Sequence, residues 1–430
     1  MAMRHSLVWN NKKEMGDGLF KIEILLQGIG ILMAWNVILA SFDFFNAEFS
    51  GDNPSFIFPI LNNGTSIIIQ PLIVLYGHKF SYTKRITISY AIIAAMLVIS
   101  PLFSHFLGGS IGFPIMCIVI LVMGMSNVVC QTTAFAMAGT LPDEYTNYVM
   151  IGNGVVGVFV DLLRLICLAS FPQDRTGYFI STLVYFVIAA AVLIICIFAQ
   201  IHLIKNPLMI ESLAKTGAKI AGDRKDEELR YVEDEQPADD KTSKLLSTVP
   251  VAPIKQIDNK LLLSKIWQPL FLVWLCYVIT FGMLSGVALA TSIPEMPYSY
   301  FSTLMVTTFN IFDFLGRSTP RFYILSIRML WIIVLARFVT WITFILIASD
   351  DPSISPAWLF SYAWFKFVNM AIFAYTNGFT STCAMILGPA QVEGYMKAKA
   401  GSLMSMGLLY GIVSGSLVAL AFTNVGHIPS

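Results

Sequence analysis

The chain has 430 residues, of which 56% are hydrophobic and only 12% are charged, whereas a soluble domain carries about 25% charged residues. This composition excludes an ordinary soluble domain and predicts that a lipid bilayer surrounds most of the chain. The net charge is +1, so no overall basic field indicates binding of nucleic acid. The six cysteines lie singly in apolar segments without metal-ligand spacing, and neither a metal nor a cofactor is expected.

Apolar segments long enough to cross a bilayer, which takes about 20 residues, occur eleven times along the chain. Glycine, proline and clusters of charge mark their ends. The sequence therefore predicts an all-α polytopic membrane protein with spans at 20–42, 55–77, 86–108, 112–138, 149–171, 177–204, 264–291, 298–318, 327–349, 356–383 and 398–424.

A polar segment divides the predicted spans into two groups. Residues 1–19 precede a six-helix bundle at 20–204, and a five-helix bundle occupies 263–430. Between them, 205–262 is dense in charge and poor in aromatic residues. Such a segment is typical of a solvated and largely disordered linker, although it leaves room for a short helix. Two bundles joined in this way are typical of transporters that bind their substrate between two halves at mid-depth.

The positions of lysine and arginine in the short loops predict the orientation. The first twenty residues lack the apolar segment of a signal peptide, so the amino terminus is expected in the cytosol. The basic loop residues then fall almost entirely on the cytosolic side, and Arg175 is nearly alone outside. Because the number of spans is odd, the carboxyl terminus is expected outside the cell, with the plasma membrane as the expected location.

The predicted eighth span carries three polar side chains on one helical face. Asn310, Asp313 and Arg317 are spaced i, i+3 and i+7, and the last two are one turn apart, so that they can pair. A charge at the centre of a membrane helix costs at least about 2.5 kcal/mol unless it has a partner or a wet cavity. A purely structural ion pair is one interpretation. The favoured hypothesis is a cavity-facing site that hydrogen-bonds the hydroxyls of a sugar.

Amide and aromatic side chains mark two further spans. Gln131 follows Asn127 by four residues in the predicted fourth span, and an amide suits the paired donor and acceptor groups of a nucleobase. Hydrogen bonding between helices is the alternative. Trp35 lies about midway along the first span, too deep for an interfacial anchor. It either stacks on a flat ligand or fills the core of the bundle.

Other charges lie within predicted spans. Asp161 and Arg164 are three residues apart in the fifth span, where they can pair locally. Arg337 lies in the ninth span and Lys366 in the tenth. A proton path that uses Asp161 and Lys366 is one hypothesis, and an interhelical salt bridge is the favoured one, because charges within membranes usually pair.

Five motifs follow one another along the chain. They are Trp35-Asn36, the segment from Gln131 to Thr146, Gly152-Asn153-Gly154, the segment from Phe309 to Arg317, and Asn377-Gly378 with Leu387-Gly388-Pro389. Together they resemble the equilibrative nucleoside transporter family, in a form similar to its protozoan members. Ala34 stands where that family has proline, and Asp161 and Arg164 lie in a span that is less charged in mammalian members. These departures leave coupling and substrate range open.

The resemblance implies a major-facilitator-like fold of six plus five helices. It also implies alternating-access transport of nucleosides, with nucleobases as an alternative, down their concentration gradient. Under the resemblance, Asp313 and Arg317 face the ribose and Gln131 faces the base. The residues implied to line the base pocket are Trp35, Leu32 and Leu39.

Two other functions remain as alternatives. One is proton-coupled symport of the same substrates, and the other is a membrane subunit that kept the fold without transport. An enzyme is not expected, because the five histidines are scattered along the chain and no histidine, cysteine or acidic pair has catalytic spacing. The protein is expected to act as a monomer within the bilayer.

Overall fold

The computed structural model describes residues 2–107, 109–172, 174–217, 257–284, 298–348 and 362–425. Long α-helices account for most of these residues. In chain order they are α1 Ala2–Ala40, α2 Phe42–Glu48, α3 Pro54–Tyr76, α4 Tyr82–Phe106, α5 Gly109–Thr140, α6 Asp143–Ser170, α7 Arg175–Leu203, α8 Pro207–Gly217, α9 Asn259–Met283, α10 Tyr298–Ser318, α11 Ile327–Ala336, α12 Phe338–Ala348, α13 Ala363–Ala390 and α14 Gly394–Val425.

Ten stretches of the described helices are long and apolar enough to cross a membrane. One of them, Ile327–Ile347, joins α11 and α12 across Arg337. Helix α10 has 21 residues and occupies the place of the predicted eighth span, but its polar side chains make it less apolar than the ten. Within the described residues, the structure confirms the predicted all-helical polytopic fold, with the ninth span formed by α11 and α12 together and each other span represented by a helix.

The ends of several predicted elements differ from the prediction. Helix α9 begins at Asn259, inside the predicted linker, because the Asp258 side chain accepts a hydrogen bond from the backbone N–H of Lys260 and caps the helix. The start of the linker forms the short helix α8. The remainder of the predicted linker, residues 218–256, lies outside the described residues, as do the end of the seventh span and the start of the tenth.

Two seams join the helices on either side of the linker. Helix α6 packs along α10 in the first seam, and α5 and α3 pack on α14 in the second. Glycines lie in both seams. A Cβ atom at Gly157 would lie 2.8 Å from the Asn310 side chain, and one at Gly401 would lie 2.2 Å from the Phe135 carbonyl oxygen. Small residues at these positions let the backbones approach each other closely.

An ion pair spans the two halves at one end of the second seam. Lys397 Nζ of α14 lies 3.6 Å from Asp143 Oδ1 at the start of α6. Both side chains are partly exposed, at 24% and 47%, and an exposed pair contributes little stability because solvent screens it. The close backbone contact at Gly401, rather than this ion pair, therefore holds the two halves together at that end.

A buried carboxylate on α2 ties together one end of the first half. Glu48, whose side chain is 1% exposed, accepts hydrogen bonds from Arg175 Nη2 at 2.7 Å and from Arg175 Nε at 3.2 Å. His105 Nδ1 lies 2.7 Å from Glu48 Oε1, and its ring stacks on Phe179 at 4.1 Å. These contacts connect α2, α4 and α7.

The hydrogen bonds of Glu48 lower its pKa by more than burial raises it. Burial by itself would raise the pKa of Glu48, but the hydrogen bonds with Arg175 and His105 hold that pKa below its ordinary value of 4.5. A carboxyl group with a lowered pKa in the folded state stabilises the fold above its unfolded pKa. This contribution is lost as the pH falls through the pKa of the folded state.

We predict that Glu48→Gln lowers the Tm of the detergent-purified protein by about 3 °C at pH 7. The difference from wild type should narrow as the pH falls below about 4.5, because Glu48 of the unfolded wild-type chain then binds a proton that the folded state takes up only at lower pH. Thermal unfolding between pH 7 and about pH 3, which passes through the lowered pKa of the folded state, measures this effect. Glu393→Gln, at an exposed glutamate on the loop before α14, serves as the matched control. A constant difference across this pH range would contradict the prediction.

Candidate functional site

The predicted pair on α10 is formed and buried. Arg317 Nε donates a hydrogen bond to Asp313 Oδ2 at 2.5 Å, and the two residues are one helical turn apart. Each residue is only 5% exposed. An ion pair at this depth compensates charges that the bilayer would otherwise exclude.

Helix α13 supplies the second contact to the Asp313 carboxylate. Asn377 Nδ2 donates a hydrogen bond to Asp313 Oδ1 at 2.7 Å. Two glycines make this contact reachable, because a Cβ atom at Gly378 would lie 2.1 Å from the Asp313 carbonyl oxygen, and one at Gly316 would lie 2.2 Å from the Tyr375 carbonyl oxygen. Both oxygens of the Asp313 carboxylate are therefore held, one by Arg317 and the other by Asn377.

The Arg317 guanidinium reaches across the first seam. Its Nη2 donates to Tyr277 Oη at 3.3 Å within the same half, and its Nη1 lies 3.8 Å from the sulfur of Met150 on α6. The Arg317 carbonyl oxygen accepts a hydrogen bond from Asn147 Nδ2 of α6 at 2.9 Å. A thioether sulfur is only a weak acceptor. Nη1 therefore has the weakest described acceptor of the three guanidinium nitrogens.

Asn310 joins the two halves one turn further along α10. Its Nδ2 donates a hydrogen bond to Asp161 Oδ2 of α6 at 2.8 Å. Asp161 is 7% exposed. The structure thus brings Asn310, Asp313 and Arg317 together with Asp161, which sequence spacing could not connect to α10.

Asp161 and Arg164 do not form the predicted local pair, because each contacts a residue on another helix. Arg164 Nη2 forms a salt bridge with Asp43 Oδ2 of α2 at 2.6 Å, and Nη1 donates to the Ala40 carbonyl oxygen. Asp43 lies in the first turn of α2, which follows α1. A cavity beside this salt bridge is lined by residues of the first half alone, and Asp313 is not among them.

Lys366 on α13 is also buried, at 6% exposed. Its Nζ lies 5.9 Å from the centroid of the Phe301 ring on α10, a distance at which a cation is attracted to the ring face. The Asp161 carboxylate is bound by Asn310 and Lys366 lies against Phe301.

The residues expected around the base lie on α1 and α5. Gln131 is 2% exposed. Leu32 and Trp35 are partly buried and pack against the core, whereas Leu39 is 42% exposed. Asn36 shares their face of α1, but its amide donates to the Leu32 carbonyl oxygen within the helix. That these residues form a base pocket remains a prediction.

The structure adds site residues that the sequence reasoning did not assign. Tyr277 and Asn377 contact the pair on α10 directly, and Asp43 takes the place of Asp161 beside Arg164. A tyrosine hydroxyl and an amide deep within apolar spans were the available signals, since polar groups at such depth need partners. The spacing within one helix does not say which helix supplies the partner.

The geometry defines a buried site with two carboxylates, Asp313 and Asp161, one guanidinium and the amides of Asn310 and Asn377 at the contact of two helical halves. The carboxylate and the amide oxygens accept hydrogen bonds, and the guanidinium and the amide nitrogens donate them. Such a set suits a neutral ligand that carries several hydroxyl groups. The chemistry available here is binding and orientation.

The known proteins and solved structures that this chain resembles include membrane transporters. Equilibrative nucleoside transporter 1 of Homo sapiens is 26% identical, with 93% of this chain and 96% of that protein aligned. Nucleoside transporter 1.2 of the protozoan Leishmania donovani is 25% identical, with 83% of this chain and 80% of that protein aligned. The crystal structure of a major facilitator superfamily transporter, FucP, in the outward conformation superposes with a TM-score of 0.59 at 12% identity, over 95% of this chain and 93% of that chain.

The structural likeness at this level of identity establishes the major facilitator fold. Assignment to a family comes from the sequence model described as nucleoside transporter, which matches residues 116–424. This range holds α10, with Asp313 and Arg317, and Asn377 of α13. Because the match covers more than half of its length, the chain belongs to the nucleoside transporter family.

Proposed function

We propose that this protein carries nucleosides across a membrane by facilitated diffusion, with Asp313 and Arg317 holding the ribose. The observation that carries the proposal is the buried ion pair at the contact of the two halves, with one face of its guanidinium turned to a weak sulfur acceptor. An ion pair with a purely structural role would not require a guanidinium nitrogen that faces only a weak acceptor.

The hydrogen-bonding capacity of the pair fits a ribose. An ionised carboxylate accepts up to about four hydrogen bonds, and Asp313 receives one on each oxygen from Arg317 and Asn377. A ribose hydroxyl can donate to a remaining lone pair and accept from Arg317 Nη1. Each such contact replaces water that the nucleoside loses on entering the site.

The base is proposed to bind towards the first half. Gln131 offers an amide to the base edge, and Trp35, with Leu32 and Leu39, offers apolar surface to its faces. Nucleosides are the proposed substrates, because the ribose contacts carry the argument. Free nucleobases, which lack a ribose, remain a second substrate class.

Two alternatives have weaker support. Proton-coupled symport would use Asp161, whose carboxylate faces Asn310 across the first seam. A non-transporting subunit would have no use for the polar cluster on α10. The names of the related proteins describe equilibrative and nucleoside transporters, which favours facilitated diffusion over both.

The proposed setting follows the distribution of basic residues. We place the amino terminus and residues 205–262 in the cytosol and the carboxyl terminus outside, in the plasma membrane. Lipid surrounds the bundle, and no nucleic acid is bound. We propose that the protein acts as a monomer.

Replacing the pair on α10 tests the ribose role. Asp313→Ala and Arg317→Ala should each abolish uptake, because the charge left behind costs roughly 3 to 5 kcal/mol in a buried site. The double variant Asp313→Leu with Arg317→Met restores apolar compatibility. We expect it to fold and reach the membrane but to transport no nucleoside, with a smaller defect for free nucleobases. Radiolabelled uptake and surface labelling measure both properties.

The matched control for this double variant is Asp17→Leu with Lys21→Met. These residues form an i, i+4 pair on α1 that is 51% and 27% exposed, so its loss should change uptake little. Near-normal nucleoside uptake by the Asp313→Leu, Arg317→Met variant would end the ribose proposal.

The coupling alternative is tested at Asp161. Asn at this position still offers an oxygen to Asn310 but carries no titratable proton. Facilitated diffusion predicts that neither wild type nor Asp161→Asn accumulates nucleoside above the external concentration, with or without an inward proton gradient. Uptake into cells with and without a protonophore measures this. Accumulation by wild type that the protonophore and Asp161→Asn both abolish would establish symport instead.

The proposed orientation is tested with two epitope tags. A tag after Ser430 should be labelled by impermeant reagents on intact cells, whereas a tag inserted at Glu233 should be labelled only after permeabilisation. Labelling of both tags under the same condition would contradict the five spans predicted between them, because an odd number of spans puts the two tags on opposite sides.

A further inference from the structure

Arg337 is a buried charge that the proposed ribose site does not use. It lies between α11 and α12, is 2% exposed and belongs to neither seam. Its described hydrogen bonds go to neutral groups of the second half. Nη1 donates to the Cys276 carbonyl oxygen at 3.1 Å and lies 2.8 Å from the Cys276 sulfur, and Nη2 donates to Thr280 Oγ1 at 2.8 Å and to the Phe373 carbonyl oxygen at 3.4 Å. The guanidinium also lies 4.9 Å from the centroid of the Phe373 ring. A buried charge held in this way calls for an explanation.

A continuous chain of hydrogen bonds leads from Arg337 to the ribose site. Thr280 Oγ1 lies 2.6 Å from Asn377 Oδ1. Asn377 Nδ2 in turn donates to Asp313 Oδ1 at 2.7 Å. The chain therefore runs from α11 through α9 and α13 to the carboxylate on α10.

The direction of this chain follows from the chemistry of its first member. A guanidinium has only donors, so Thr280 Oγ1 accepts from Arg337 and keeps one proton to donate. Two acceptors lie near that proton, the Cys276 carbonyl oxygen at 2.8 Å and Asn377 Oδ1 at 2.6 Å. Asn377 Oδ1 is the nearer of the two, and the Cys276 carbonyl oxygen already shares its lone pairs with Arg337, so Asn377 Oδ1 is the better acceptor for Thr280.

This direction decides how the amide of Asn377 is turned. Its oxygen faces donors, namely the Thr280 hydroxyl and, at 3.4 Å, the Cys276 thiol. Its nitrogen must then face Asp313. In the opposite orientation, the amide oxygen would lie against the Asp313 carboxylate, and two acceptors would face each other without a proton between them.

We propose that Arg337, acting through Thr280 and Asn377, is a positioning residue that holds Asp313 for ribose recognition. This inference rests on the proposed function, since it assigns a role towards the same ribose site. Arg337 and Thr280 need not touch the substrate. They fix the orientation of one amide, and that amide fixes one oxygen of the carboxylate.

The sharpest test removes one hydroxyl from the chain. Thr280→Val keeps the shape of the side chain but cannot pass a hydrogen bond, whereas Thr280→Ser retains the hydroxyl. We expect Thr280→Val to raise the KM for adenosine and uridine about tenfold, the loss of one charge-assisted hydrogen bond. The KM for their 2′,3′-dideoxy forms should change less than about twofold, and Thr280→Ser should behave as wild type.

Two further variants separate positioning from packing. Thr382→Val is the matched control, because Thr382 is a fully buried threonine of the same half whose hydroxyl has no hydrogen-bond partner among the described residues. It should leave both KM values unchanged. Arg337→Lys keeps the charge but replaces the forked donor with a single ammonium group, and should reproduce the selective loss of Thr280→Val.

The outcomes distinguish this inference from the proposed function. An equal rise in KM for the ribose and dideoxy forms in Thr280→Val would show a packing role and overturn the inference. Thr280→Val values equal to those of wild type for both forms would overturn it as well. If wild-type protein itself does not prefer ribose over dideoxyribose, the ribose site fails and the inference fails with it. For any variant that reaches the surface poorly, the ligand-induced shift in Tm of purified protein gives the same comparison.

Discussion

The fixed carboxylate of Asp313 is the constraint on which the site depends. A charge at this depth is costly, and the structure meets the cost with the Arg317 guanidinium on one oxygen and the Asn377 amide on the other. Both contacts come from the second half of the protein. Loss of either partner would leave acceptors of a buried carboxylate without donors. This costs more free energy than replacing the whole ion pair with apolar side chains.

Glycine determines where these polar groups can meet. Gly316 and Gly378 let α10 and α13 approach until side chains of ordinary length reach each other, and Gly154 and Gly157 let α6 lie against α10. A larger residue at one of these glycines would push the helices apart, although it would not itself replace any polar group of the site. The small residues in these motifs therefore serve packing, as membrane helices commonly require, and the binding site depends on that packing.

Sequence reasoning could predict what repeats along one helix. The apolar segments gave the spans, and the i, i+4 spacing gave the pairing of Asp313 with Arg317, because both signals are local. Partners from other helices were beyond its reach. The spacing of Asp161 and Arg164 suggested a local pair, yet the structure gives Asp43 to Arg164 and Asn310 to Asp161. Helix packing decides such contacts, and one sequence does not encode it as a pattern.

The polar contacts fall into two classes with different consequences for transport. Those of Asp313 with Arg317 and Asn377, and the chain back to Arg337, lie within the second half. Those of Asn310 with Asp161, and of Arg317 with Asn147 and Met150, cross the first seam. Alternating access moves one half against the other around a fixed site. The crossing contacts must then break and reform in each cycle, whereas the contacts within the second half can persist. A ribose held mainly by Asp313 and Arg317 would therefore stay with the second half while the first half moves.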